Sequence, residues 1–181
     1  MSHHDLVALW EAHCRYEFET RDVDATMATM IDAPYVNHVP TMTGGVGHDQ
    51  LKRFYKYHFI GENPDDTRFI PISRTVGQDQ IVDEMLFTFT HTREIDWMLP
   101  GIPPTGRRVE VPLVAIVRFQ DGKVAHEHIY WDQASVLVQI GQLDVSGLPV
   151  AGIETARKVA DKTEPSNTLM TRWSTSQGKP L

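Results

Sequence analysis

One cysteine, Cys14, stands in a chain of 181 residues. A lone thiol excludes an intrachain disulfide and a cysteine-based zinc site, and it suits a reducing compartment. Long apolar runs are missing too, which argues against a membrane span. The stretch from Met1 to Leu6 carries His3, His4 and Asp5 in place of the apolar segment of a signal peptide. Basic residues are in the minority: 17 Lys and Arg face 24 Asp and Glu, a net charge of −7. Sequence-independent nucleic-acid binding and adhesion to an anionic membrane both need the opposite sign. These absences lead us to expect a cytoplasmic protein whose partner is neither nucleic acid nor membrane. Two nucleotide and hydrolase signatures are also absent. No Gly-x-Ser-x-Gly elbow occurs, and Gly44-Gly45-Val46-Gly47 has neither a preceding strand nor the Lys-Ser/Thr of a phosphate loop.

Hydrophobic residues make up 41% and charged residues 23%, enough apolar material for a core without disulfide or metal support. The length suits one domain with a remainder. From about Asp5 to Thr20, Leu6, Leu9, Trp10, His13 and Glu17 fall on one helical stripe, with Val7, Cys14 and Phe18 on a second. Asp22 or Asp24 can cap a short second helix carrying Met27, Met30 and Ile31, ended by Pro34. Gly44, Gly45 and Gly47 read as a loop. Leu51, Phe54, Tyr55, His58 and Phe59 then mark a third helix, from about His48 to Ile60.

The pattern changes to strands after Gly61 and Pro64. Thr67 to Val76 is one strand, and Pro71 within it requires an edge or a bulge. Ile81 to His91 is the next, and Met98 to Gly106, rich in Pro and Gly, is a loop. Arg107 to Gln120 and Lys123 to Trp131 flank Asp121-Gly122, a hairpin signal. A short helix follows Asp132. Helices first and antiparallel strands later make an α+β fold, in which a curved, mainly antiparallel sheet wrapped by N-terminal helices leaves a cone-shaped pocket. Residues 1–143 form this domain. Residues 144–181 form an extension that packs on it or on a second subunit, since Leu169, Met170 and Trp173 are apolar.

The run from Gly122 to Asp132 concentrates polar chemistry. Strand alternation puts His126, His128, Tyr130 and Asp132 on one face and Ala125, Glu127, Ile129 and Trp131 on the other. If the first set faces water it is a solvated face. If it faces the concave side it is a set of titratable groups in a pocket. Asp132 beside Trp131 reads either as a general acid/base or as the N-cap of the helix that follows. Tyr35, Asn37, His38, His58, His91 and Trp97 sit at element ends that converge if the sheet closes on a cone. His126-x-His128 offers two imidazoles but, Asp132 aside, no third ligand at a recognised spacing, so no metal is expected there.

On Tyr35-Val36-Asn37-His38-Val39-Pro40, Thr90-His91, Pro103-Pro104-Thr105-Gly106-Arg107, Asp121-Gly122-Lys123-Val124 and His128-Ile129-Tyr130-Trp131-Asp132, the chain resembles SnoaL-like polyketide cyclases of the nuclear transport factor 2-like superfamily. The order and spacing fit over about Leu6 to Leu143. The resemblance implies a cone-shaped α+β barrel, a homodimer formed through the sheet, and acid/base chemistry without metal or organic cofactor. That chemistry is cyclisation, isomerisation or dehydration of a small carbonyl or polyketide-like compound. It implies Asp132 as acid/base, with His128 or His38 stabilising oxygen and His91 and Asn37 as further pocket groups; Tyr35, His58, Trp97, His126, Tyr130 and Trp131 would shape the pocket. Where this family often carries an aromatic residue four positions before the aspartate, this chain has His128, which suits a smaller or more polar ligand. A non-catalytic small-molecule binder and a dimeric interaction module are the other readings the same scaffold permits.

Overall fold

The structure, a computed structural model, describes residues 2–180. Helix α1 (His3–Phe18) opens with a capping box between Ser2 and Asp5, and it buries Leu6, Trp10, His13 and Glu17 along one stripe. Helix α2 (Val23–Ala28) is capped by the Asp22 side chain. Strands β1 (Met30–His38) and β2 (Thr43–Val46) follow, then α3 (His48–Phe54), which continues as a π turn through Tyr55–Phe59. Strands β3 (Arg68–Val76), β4 (Gln80–Thr90), β5 (Arg108–Gln120) and β6 (Lys123–Trp131) lead to α4 (Gln133–Gln139). The chain ends with α5 (Glu154–Ala160) and a 3₁₀ turn at Trp173–Ser176.

The six strands form one sheet in the order β2-β1-β6-β5-β4-β3. All neighbours are antiparallel except β1 and β6, which run parallel. This is the expected α+β architecture, and β3, the strand with Pro71, is an edge with its register shift between Pro71 and Ser73. Asp121 and Gly122 both take positive φ, at 51° and 76°, as the tight β5–β6 hairpin requires. Alternation along β5 sends Val109, Val111, Leu113, Ala115, Val117 and Phe119 into the core. Ile95, Trp97, Met98 and Leu99, on the long β4–β5 connection, are also buried.

Two local expectations are corrected. Met30 and Ile31 do not extend α2. The helix stops at Ala28, and Met30 pairs instead with Val124 of β6. The glycine-rich segment is not a loop but the edge strand β2, with Val36 opposite Gly45 and Asn37 opposite Gly44. Glycine is needed because the backbones touch. A Cβ on Gly44, at φ +138°, would lie 2.1 Å from the Val36 carbonyl oxygen, and one on Gly45 would lie 2.8 Å from Leu51 Cα.

The segment beyond α4 is anchored only in part. Ser135 Oγ donates to the Gly152 carbonyl at 2.7 Å, and Ala156 is fully buried. Leu169, Met170 and Trp173 remain exposed, so their apolar character is not absorbed by this chain's own core. No described helix is long and apolar enough to cross a membrane.

The close contact of β1 with β2 gives a direct test. Gly44→Ala combines a disfavoured backbone region with a carbonyl clash and should lower stability by about 3 kcal/mol, read from urea unfolding. An unchanged midpoint would mean that β2 does not lie against β1 as described.

Candidate functional site

The concave side of the sheet, α1 and the π turn enclose a cavity of about 710 Å³. Apolar residues dominate its wall: Trp10, Phe18, Phe59, Phe69, Trp97 and Leu113 among them. Exposed Glu11, Arg15 and Glu19 follow one another along α1 at four-residue intervals and form a charged rim with Arg74 of β3. Arg74 is held there by Asp83, which accepts from its Nε and Nη2 at 2.5 and 2.9 Å, and by Glu11 at 3.0 Å. The Trp10 indole donates to the same Asp83 at 2.7 Å, so one carboxylate ties α1 to β3 and β4.

Two polar sites interrupt the apolar wall. The first is built on α1 and β6. His13 and Glu17 are one helical turn apart, and His13 Nε2 lies 3.1 Å from Glu17 Oε1 and 3.2 Å from Glu127 Oε1. All three are buried. Thr29 donates to the Thr26 carbonyl at 2.6 Å, so its oxygen is left to accept from His13 Nδ1, also at 2.6 Å. The ring stacks on Trp10, centroids 5.4 Å apart. Burial pulls the His13 pKa down, but the Glu17 and Glu127 carboxylates more than reverse this and raise it to about 10. Burial also raises Glu17, opposed by the attraction of His13. Tyr55 adds a long hydrogen bond to Glu127 Oε1 at 3.5 Å.

The second polar site is His38, at the inner end of β1. Parallel pairing sets Val36 beside Glu127 and His38 beside Ile129, which turns His38 to the same concave face as Glu127. Its Nδ1 donates to the Thr43 carbonyl at 3.2 Å, which leaves the lone pair on Nε2. Among the described residues nothing hydrogen-bonds to that nitrogen, and it is not sealed from the cavity it lines. Four rings surround the imidazole: Trp97 at 4.7 Å, Phe59 at 5.3 Å, Phe54 at 5.6 Å and Trp131 at 6.1 Å. Burial among them pushes His38 down to about 4, against a smaller opposing pull from the Thr43 carbonyl.

Of the residues expected to form a pocket, His38 and Trp97 line the cavity, and Trp131 packs against both. The others lie elsewhere. The alternation along β6 is as expected, but its polar set faces outward. His126, His128 and Tyr130 lie on the convex side with Tyr35 and Asn37 of β1, because Glu127, Ile129 and Trp131 take the inner positions. Asp132 is exposed and caps α4, accepting from Ser135 N at 3.1 Å, so its carboxylate does not reach the cavity. His91 is buried at the end of β4 against Thr105 Oγ1, away from the cavity lining. His58 is partly exposed, with its Nδ1 2.9 Å from Asp96 Oδ2.

The residues that sequence reasoning missed are His13, Glu17 and Glu127. The signal was present: His13 and Glu17 sit on the apolar stripe of α1, and Glu127 is the one charged residue on the otherwise apolar face of β6. Each is a polar group where burial demands a partner.

Against known proteins, a model of the SnoaL-like domain family matches residues 10–127. Three solved structures share the fold. TsrD from Streptomyces laurentii is 20% identical with a TM-score of 0.62, over 79% of this chain and 99% of its own. An NTF2-like protein of unknown function from Burkholderia pseudomallei is 19% identical with a TM-score of 0.56, over 77% of this chain and 98% of its own. A proposed SnoaL-like polyketide cyclase from Jannaschia is 21% identical with a TM-score of 0.56, over 75% of this chain and 93% of its own. At these identities the likeness is one of fold. The chain matches no curated protein.

His38 makes the site measurable through stability. Its folded pKa of about 4 lies below the unfolded value of 6.5, so the unfolded chain takes up the extra proton first as pH falls. Stability from this residue is complete above pH 6.5 and declines down to about pH 4, by about 3 kcal/mol in all. Urea unfolding at pH 7.5 and 4.5 should show that loss in the wild type and a flatter profile in His38→Phe. Equal slopes in the two proteins would contradict a neutral, buried His38.

Proposed function

The chain belongs to the SnoaL-like domain family, and from that premise we propose that it carries out proton-transfer chemistry on a small, largely apolar carbonyl compound held in the cavity. The observation that carries this reading is a pair of polar sites on an apolar wall whose environments push their proton affinities apart: His38 downward, His13 and Glu17 upward. His38 Nε2 is the base. It takes a proton from the carbon next to the carbonyl, and the C–H electron pair moves onto oxygen to give an enolate. The floor formed by Glu17, Glu127 and His13 serves the oxygen side. Burial favours the protonated Glu17 carboxyl, which can donate to the developing oxyanion. Returning the proton from His38 to another carbon isomerises the compound; attack of the enolate on a second carbonyl, whose oxygen then takes that proton, cyclises it; loss of a β-hydroxyl, which takes that proton and leaves as water, dehydrates it. The relative described as a proposed polyketide cyclase supports a carbonyl substrate class. Asp132 has no part in this scheme.

Residues 1–143 act as the domain and 144–181 as an extension. A cytoplasmic location is supported by the single cysteine. A homodimer through the sheet is supported by the convex face, where Tyr35 stands edge-on to His128 at 5.4 Å and Tyr130 is exposed.

Hydrogen exchange in heavy water tests the chemistry without knowledge of the product. A panel of cyclic and aromatic ketones is incubated with the protein, and deuterium uptake next to the carbonyl is followed by mass spectrometry. His38→Gln should slow uptake by about a hundredfold or more. Asp132→Ala should leave it unchanged while costing about 1 kcal/mol of stability as a lost helix cap. Ketones that stabilise the protein to heat yet never exchange would make it a binder, and exchange that depends on Asp132 would overturn the assignment of the base.

A further inference from the structure

The cluster on the cavity floor has more acid than base. Thr29 occupies the Nδ1 proton of His13, so only Nε2 faces Glu17 and Glu127. With Nε2 bare, a lone pair confronts two carboxylates. With a proton there, one imidazolium still faces two carboxyl groups, and the second must be neutralised by a proton of its own or by a cation. Arg74, which also lines the cavity, spends its donors on Asp83 and Glu11. Arg15 is turned to solvent over the Tyr16 ring. Besides His13, only the Tyr55 hydroxyl among the described side chains donates to these carboxyl groups, reaching Glu127 Oε1 at 3.5 Å and approaching Glu17.

We propose that His13 Nε2, Glu17 and Glu127 bind a first-row divalent cation of the zinc class. Their donor atoms all lie within 4.8 Å of one another. A cation about 2.1 Å from each donor would set neighbouring donors about 3.0 Å apart in octahedral geometry and about 3.4 Å apart in tetrahedral geometry. The two observed separations from Nε2, 3.1 and 3.2 Å, fall in that interval. Thr29 supplies the outer hydrogen bond that fixes the ring and its tautomer, and Thr26 fixes Thr29 in turn. One imidazole and two carboxylates, with no thiolate, suit zinc, manganese or iron(II) better than calcium or copper(I). Neutral imidazole, two carboxylates and a dication also sum to zero charge, which suits a buried site. Three protein ligands facing a cavity leave coordination positions for water or for the oxygen of a bound carbonyl. This extends the proposed function at the oxygen side, where the cation would replace the carboxyl proton, but cation binding itself does not depend on that reading. The His126-x-His128 pair, two imidazoles for which the sequence offered no third ligand at a recognised spacing, lies on the convex face with its rings stacked at 4.8 Å and belongs to no such cluster among the described residues.

The test is titration of the full chain, dialysed against chelator, with Zn²⁺ by calorimetry and with Co²⁺ by visible absorption. One equivalent should bind, with Co²⁺ giving the ligand-field bands of a nitrogen and oxygen site. Glu17→Gln and Glu127→Gln should each weaken binding by about a hundredfold or more, and Thr29→Val, which removes only the orienting bond, by about tenfold. The double variant His126→Gln/His128→Gln should bind as the wild type does. Absence of binding by folded wild-type protein, or binding lost in the double variant and kept in the floor variants, would overturn the proposal. Should Glu17→Gln or Glu127→Gln not fold, Thr29→Val decides: unaltered affinity there overturns it as well. Ketone exchange that depends on His38 in a protein that binds no cation would sink this inference and leave the proposed function standing; cation binding without exchange would do the reverse.

Discussion

The deepest constraint in this molecule is the placing of three ionisable groups, His13, Glu17 and Glu127, beneath an apolar cavity. A single imidazole nitrogen contacts carboxylates from two elements far apart in the chain, α1 and β6. Removing one member would leave the other charges buried and unpaired, the costly case for any polar cluster. The contact therefore fixes how far along the sheet α1 can sit. Trp10 to Asp83 and Arg74 to Glu11 repeat the same tie toward the cavity mouth. The helix is thus docked on the sheet by polar anchors at two depths, with apolar packing between them.

The curvature of the sheet gives those anchors their chemical setting. Parallel pairing of β1 with β6 brings Val36 beside Glu127 and His38 beside Ile129, so one strand pair carries both a carboxyl group and an imidazole on its inner face. The aromatic rings around His38 and the stacked Trp10 and His13 keep each polar site in low-dielectric surroundings. There, hydrogen-bond geometry decides which atom holds a proton. The Thr43 carbonyl and the Thr29 hydroxyl each fix one ring nitrogen and so direct the other, toward the cavity in His38 and toward Glu17 and Glu127 in His13. The two histidines are alike in residue type and opposite in proton affinity because one faces carboxylates and the other faces rings.

Most of the fold was legible in the chain. Hydrophobic periodicity marked α1, α3 and the four long strands, Pro71 marked an edge, and Asp121-Gly122 marked the final hairpin. Local pattern failed at Met30 and at Gly44–Gly45, where long-range pairing outweighed helical spacing and glycine loop preference. The site was legible only as parity. Alternation along β6 separated His126, His128, Tyr130 and Asp132 from Glu127 and Trp131 correctly, yet strand parity carries no information about which face is concave. Helical spacing likewise put His13 and Glu17 on the buried stripe of α1, where their charge marked them less clearly than the histidine run of β6 marked itself.

Composition and periodicity alone determined the class of the molecule: an α+β fold with helices first, a mainly antiparallel sheet after them, and an excess of acidic residues. These follow from nearest-neighbour stereochemistry and the burial of apolar side chains, which a linear string records. Which carboxylate belongs to the cavity was decided only in three dimensions. Glu127 and Asp132 are five residues apart on one continuous stretch of chain. One turns under α1 and the other caps α4 in solvent, because the direction in which the sheet curves depends on every strand pairing at once.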